Sequence, residues 1–328
     1  MKKEKLIGRI MDHPVFREQP PVLVDVGASG AVHESWKAIA PYSICLAFDG
    51  DDRDLRLMKT DNSGYRELLL YHRILTAQKT EETEFFLTSF PHCSSLLEPD
   101  LGALSCHSFR DLFKVDKKIS LKAVNLPEVL AENHLDRVDW FKTDSQGTDL
   151  RLFKSLPEAI LPGVKIAEFE PGIIDAYRGE DKFGDLLQWM TGKCFFLAKL
   201  EIKPVCRIEP ELLNEFRRPD LVTKYMKKTP GWVNALYMNT GENIGRWSLR
   251  DGLLFLVCCL LNEQYAVSLK SSALLQQRFP EEKFFAEIRR FSRDRLDVGR
   301  ASDLFRRIGN RLKRMFCALR RGGTSCGC

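Results

Sequence analysis

Short apolar runs alternate with amphipathic stretches through most of the chain, and each change of period marks an element. Val22–Val26 and Ile44–Phe48 read as strands buried on both faces. Leu68–Ala77 predicts a third strand, and Glu84–Ser89 a short partner behind a charged turn. Ile119–Val124, Val138–Thr143 and Val164–Glu170 continue the series, and Cys194–Ile202 predicts a hairpin with Trp232–Met238. Helical spacing lies between them: over residues 1–20 up to Gln19-Pro20-Pro21, over His33–Ile39, over Leu126–His134 with Pro127 in its first turn, over Thr148–Ser155 and over Phe183–Thr191. Residues 90–110 keep no period and hold Pro91, Ser94, Ser95, Pro99 and Gly102, which predicts an irregular loop long enough to be functional.

Strands that alternate with helices predict an α/β protein built on a Rossmann-like, doubly wound, mostly parallel sheet. From Trp247 to Phe316 the spacing turns helical, with a break at Pro280. The boundary falls near residues 240–246, giving a sheet domain over 1–243 and a helical C-terminal extension over 244–328. The longest apolar run, Leu253–Leu261, has nine residues. That is too short to span a bilayer and predicts a buried helix.

Composition changes this picture little: 44% hydrophobic and 29% charged residues are ordinary for a globular chain. The net charge of +5 is more informative once localised. Seven basic residues and one acid lie between Asp303 and Arg321, which accounts for the excess and leaves the rest near neutral. A nucleic-acid groove over the main domain is therefore not expected. Leu304, Phe305, Ile308, Leu312, Met315, Phe316 and Leu319 form one face of that segment. The segment reads either as a helix packed on the main domain with a solvated basic rim or as an interfacial helix on anionic lipid. Met1–Ile10 shows no signal-peptide pattern, and the ten cysteines are scattered, so reduced thiols in a cytoplasm are expected. Residues 303–321 offer peripheral contact at the inner membrane face. His92-Cys93 and Cys106-His107 lack the spacing of a zinc site, so no metal is expected. The Cys326 and Cys328 tail reads as an unstructured end.

Candidate chemistry begins at the end of the first strand. Gly27-Ala28-Ser29-Gly30 has two glycines where a dinucleotide loop has three, and Ser29 takes the middle place. A pyrophosphate cradle is disfavoured, and S-adenosylmethionine, an adenosine cofactor without phosphate, suits the shorter loop. A plain strand-to-helix turn is the competing reading. Asp25 within the strand either holds the loop or takes the cofactor's ammonium. Asp49 ends the second strand, where an acid accepts hydrogen bonds from ribose hydroxyls. Asp51, Asp52 and Asp54, interleaved with Arg53 and Arg56, read as a solvated helix start.

The succession DVGASG, AFDGDDRD, SFPHCSSL, VDWFKTDSQGTDLRLFKSL and AEFEPGIIDAYRGEDKFGDLLQWM resembles FkbM-type S-adenosylmethionine-dependent methyltransferases over about residues 20–205. The Lys142–Gly147 block is its most specific part, followed by the strand ending in Glu170 with Tyr177 behind it. The resemblance implies a sheet of the class I methyltransferase type and methylation of a hydroxyl on a sugar, glycan or natural-product acceptor. Asp25, Gly27, Ala28, Gly30, Asp49 and Ser95 are the expected cofactor positions.

Asp144 is the expected catalytic residue: it can accept the hydroxyl proton, hold the cofactor or bind a sugar hydroxyl. Lys142 shares its strand face and is expected either to pair with Asp144 or to act directly. Glu168 and Glu170 also share a face, and two acids in an apolar strand are costly unless used or paired. Glu170, the terminal one, is expected to bind substrate, together with His92 and Ser94 on the irregular loop; a surface histidine is the plainer reading of His92. Trp36, Trp140, Phe141 and Trp189 read as packing residues. Two other classes stay open: a nicotinamide-dependent oxidoreductase of Rossmann type, and a non-catalytic binding protein that keeps the fold.

Overall fold

The computed structural model describes residues 2–28, 32–50 and 64–297. Ser29, Gly30, the Asp51–Asp54 cluster, the basic segment 303–321 and the Cys326/Cys328 tail lie outside the described residues. The chain divides into two compact units, residues 11–242 and a second unit of 2–10 with 243–297.

The larger unit carries ten strands: β1 (Val22–Val26), β2 (Ile44–Phe48), β3 (Glu67–Tyr71), β4 (Ile74–Thr76), β5 (Glu82–Thr88), β6 (Val115–Asn125), β7 (Trp140–Thr143), β8 (Ile166–Phe169), β9 (Phe195–Val205) and β10 (Thr229–Asn239). Seven form one mixed, mostly parallel sheet in the order β3-β2-β1-β7-β8-β10-β9, in which β10 runs against both of its neighbours. The other three form a small sheet, β4-β6-β5. All five residues of β1 are buried, as expected for a central strand covered on both faces. From β1 the chain builds outward to β2 and β3, then returns to place β7 on the opposite side. The carboxyl ends of β1 and β7 therefore sit where the winding reverses and the connections diverge, leaving a crevice.

One face of the sheet packs its core on three helices. Val24, Phe48, Phe141, Phe169 and Tyr237 meet Val129 and Leu130 of Leu126–Glu132, Leu150 and Phe153 of Asp149–Lys154, and Leu186 and Met190 of Phe183–Thr191. Phe153 is the hub, with its ring 5.2–5.9 Å from those of Phe141, Phe169, Trp189 and Phe195. Trp36 and Trp140 are fully buried and Trp189 is packed against the core, as their apolar context predicted.

Two predicted elements are corrected. Leu68–Ala77 is not one strand: it breaks at His72-Arg73, with β3 beside β2 and β4 beside β6 in the other sheet. His33–Ile39 is not an α-helix. It forms the short turns Glu34–Trp36 and Ala40–Tyr42, because Trp36 and Ile39 are drawn into the core and Pro41 cannot continue a helix.

In the second unit, the helix Leu249–Leu261 is buried continuously from Gly252 to Leu260, so its apolar run is a core helix. Ser248 caps it, its Oγ accepting from the Asp251 amide. Tyr265–Arg278 packs against it at Gly252, where an added Cβ would lie 2.7 Å from Leu275. Helix Lys3–Met11 joins this unit, Arg9 donating to both oxygens of Glu287 at 2.7 and 3.1 Å. No helix among the described residues is long and apolar enough to cross a membrane. No two described cysteines form a disulfide.

Phe153→Ala removes a buried ring in contact with four others and is expected to lower the unfolding free energy by about 3–5 kcal/mol. Urea unfolding measures it, and a loss under about 1 kcal/mol would contradict this account of the core.

Candidate functional site

A cavity opens at the β1/β7 crevice. Gly27 and Ala28 after β1, Asp49 and Gly50 after β2, and Asp144, Ser145 and Gln146 after β7 line it. Ile74, Leu75 and Phe85 of the small sheet form its apolar wall, and His92, Ser94 and Leu96 its lip. Three strand ends spread over more than a hundred residues of sequence, from Val26 to Thr143, thus meet in one place.

Glycine at position 27 is required by the approach of these ends. Its φ is +75°, and an added Cβ would lie 2.4 Å from the Asp144 carbonyl oxygen. The Gly27 and Ala28 amides donate to the Phe48 carbonyl at 3.0 and 3.3 Å, so they stitch β1 to β2 instead of facing the cavity. The Asp144 amide donates to the Val26 carbonyl at 3.0 Å.

Asp25 and Lys142 stand behind this mouth. The expected Lys142–Asp144 pairing is replaced: Lys142 Nζ donates to Asp25 Oδ1 at 2.8 Å. Asp25 is register partner to Lys142, and Lys142 to Glu168, so acid, base and acid form a row across β1, β7 and β8. Burial pulls the Lys142 ammonium down, but Asp25, Asp144 and Glu168 outweigh it and leave the pKa raised. Burial raises Glu168, against a 2.7 Å hydrogen bond donated by Trp140 Nε1. Neither Asp25 nor Lys142 lines the cavity.

The β7 turn holds Asp144 in place. Asp149, fully buried, accepts on one oxygen from Thr143 Oγ1, the Ser145 amide and Ser145 Oγ at 2.8, 3.1 and 2.8 Å. Burial pushes its carboxyl up to about 6. Gln146 is left-handed at φ +55° and donates through Nε2 to Asp144 Oδ1 at 2.7 Å. The Tyr177 hydroxyl lies 2.9 Å from Gln146 Oε1 and from the Cys93 carbonyl, its one proton shared between them. Ser95, expected at the cofactor, is fully buried and is not among the lining residues; its Oγ donates to the Gln146 carbonyl at 2.7 Å. It acts on the site through the turn.

Glu170 follows β8 and shares a hydrogen bond with Asp144. Burial, the charge of Asp144 and this bond push its carboxyl up to about 8, against a hydrogen bond from Trp232. Two neighbouring carboxyls cannot both ionise cheaply, and Glu170 therefore keeps its proton well above the ordinary carboxylate range. Beside it a small cluster of Cys93, Leu104, Phe113 and Tyr177 packs the 90–113 stretch onto 174–177. His92 is exposed, with its ring 5.1 Å from that of Phe90, while Ser94 is buried and accepts from the Thr88 amide at 3.1 Å. No cluster of three metal-ligating side chains occurs among the described residues. Sequence reasoning passed over Gln146 as a site residue and took Trp232 for a strand position. Only the Lys142–Gly147 block hinted at the first.

Protein-family profiles, curated proteins and solved structures give no match to this chain.

Gly27→Ala is expected to destabilise the unit by roughly 2 kcal/mol or more, combining left-handed strain with the overlap on Asp144, as read by urea unfolding. A pH series gives a second test. Asp149 and Glu170 both have folded values above their ordinary 3.8 and 4.5, so the folded chain holds these protons more tightly. Their contribution is full below the ordinary values and is lost as pH rises to about 6 for Asp149 and about 8 for Glu170. Glu170→Gln is expected to flatten the fall in stability between about pH 6 and 8; an unchanged slope there would contradict the raised pKa of Glu170.

Proposed function

We propose that this chain is an S-adenosylmethionine-dependent O-methyltransferase of the FkbM type, acting on a hydroxyl of a sugar, glycan or natural-product acceptor. The observation that carries the reading is the convergence of Gly27, Asp49 and Asp144 on one cavity at the reversal of the winding. Counted along the main sheet, the strand order is 3-2-1-4-5-7-6 with the seventh reversed. This order supports a Rossmann-like sheet of the class I methyltransferase type over the parallel 3-2-1-4-5-6 order of dinucleotide enzymes.

The lining residues fit a nucleoside without phosphate. Asp49 offers a carboxylate for ribose hydroxyls, and Ile74, Leu75 and Phe85 offer an apolar surface for a flat base. The Gly27 and Ala28 amides, already bonded to Phe48, do not form a pyrophosphate cradle. This favours a sulfonium nucleoside over a nicotinamide dinucleotide.

When bound, S-adenosylmethionine supplies a methyl group on a positively charged sulfur. The chain has to align an acceptor hydroxyl and remove its proton. Asp144 lines the cavity, so its carboxylate is placed to accept the hydroxyl proton. Gln146 Nε2 orients that carboxylate, and protonated Glu170 donates to it. Once Asp144 has taken the proton, the pair is neutral and releases it to water. Alignment can contribute up to roughly 7–11 kcal/mol, and a placed base about 10²–10⁴-fold.

Titration calorimetry with S-adenosylmethionine, followed by labelled-methyl incorporation into a host glycan extract, tests this. Asp49→Ala is expected to weaken cofactor binding by roughly tenfold or more. Asp144→Asn is expected to leave binding within a few-fold and to lower transfer by about 10²–10⁴-fold. Binding of a nicotinamide dinucleotide in place of S-adenosylmethionine would overturn the cofactor, and full transfer by Asp144→Asn would overturn the base.

A further inference from the structure

The β9–β10 hairpin outruns the sheet that carries it. β8 pairs with β10 over Ala235–Met238, whereas Thr229–Asn234 and Glu201–Val205 of the hairpin pair with each other. The excursion between the two strands holds the short helices Pro210–Asn214 and Pro219–Tyr225. Together these form an arm.

The arm is tied at its base to the acceptor side of the candidate site. Trp232 bridges to Gly172, two residues beyond Glu170, and meets the Phe109 ring at 6.3 Å. The Ser108 amide donates to the Cys206 carbonyl at 3.2 Å, and Arg110 donates to both oxygens of Glu211 at 2.6 and 3.3 Å.

Its outer part combines two features that rarely coincide on a solvated surface. Leu212, Phe216, Leu221 and Tyr225 are large and exposed, Phe216 at 46% and Tyr225 at 74%. They fall as two pairs four residues apart. From Leu212 to Lys228 the chain carries five basic residues and two acids, Glu215 and Asp220, the second paired with Arg218 at 2.8 Å, so the segment is net positive by three. Apolar side chains amid unmatched positive charge fit a surface that is apolar within and anionic at its face. A nucleic acid would use the charge and aromatic rings but leave the leucines in water.

We infer that residues 212–228 dock this protein on an anionic lipid surface, with Phe216, Leu221 and Tyr225 entering the interface and Arg217, Lys224, Lys227 and Lys228 meeting the headgroups. The arm then holds the Asp144–Glu170 side of the cavity against the membrane, where an amphiphilic acceptor would present its hydroxyl. Docking stands independently of methyl transfer.

Flotation of the full chain with phosphatidylcholine vesicles, with and without phosphatidylglycerol, tests it. Binding is expected with phosphatidylglycerol and to weaken with added salt. Phe216→Ser/Leu221→Ser/Tyr225→Ser, and separately Lys224→Glu/Lys227→Glu/Lys228→Glu, are each expected to lower partitioning by about tenfold or more. All six side chains are exposed, and circular dichroism confirms folding of each variant. Binding that survives both variants, equal binding to neutral vesicles, or capture by a single-stranded oligonucleotide with no vesicle binding would each overturn the inference.

Discussion

The seam between β1 and β7 is the constraint on which the rest of this molecule depends. The strands lie side by side, yet the chain leaves them in opposite directions, so their ends open a crevice. The buried Asp25–Lys142 pair fixes how they align. Such pairs add little net stability, because desolvation offsets much of the attraction, but breaking one by removing a partner costs about 3–5 kcal/mol. Its worth here is register. A slip of one residue would leave Asp25 opposite Phe141 or Thr143 and bury an unmatched charge. With the register set, the Val26 carbonyl meets the Asp144 amide and the two turns close to the contact that Gly27 allows.

How much of this was legible depended on where the determining partner lies. β1 and β2 were readable to the residue because each is an apolar run bounded by turn residues. The break at His72-Arg73 was not, since the residues on either side are equally apolar and only their neighbours in space differ. The partner of Lys142 was misread for a related reason. Residues two apart on a strand are separated by about 6.6 Å, whereas a lateral neighbour lies about 4.8 Å away. Asp144 was the near acid in sequence and Asp25, 117 positions back, the near one in space. Gln146 carried no sequence signal of its own, because its purpose is visible only when Tyr177, 31 positions on, reaches back to it.

The same logic explains why acids collect at the strand ends. Within the sheet each charge needs a lateral partner, and the Asp25, Lys142, Glu168 row supplies it. One residue beyond the last ladder bond that lateral partner is missing, so the charge of Asp144 acts on Glu170 and, with burial, raises its pKa. A carboxyl pair of this kind stores a proton-accepting group beside a cavity without a metal ion or a histidine. His92, at the lip, is exposed and stacks its ring edge on Phe90 at 5.1 Å.

The two sides of the cavity are built by different parts of the chain, and this separates their chemistry. Residues up to Phe85 supply Gly27, Asp49 and the apolar wall of the small sheet, a surface suited to a nucleoside. Residues beyond 90 supply the lip and the β7 turn, with Glu170 beside Asp144 but outside the lining. Asp144 is the hinge between them: its carbonyl touches the Gly27 turn while its carboxyl touches Glu170. A change on the first side therefore acts on the Gly27, Asp49 and small-sheet half of the cavity, and a change on the second on the lip and the β7 turn. A change at residue 144 alone reaches both, and for that reason the geometry of the β7 turn is held by so many separate hydrogen bonds.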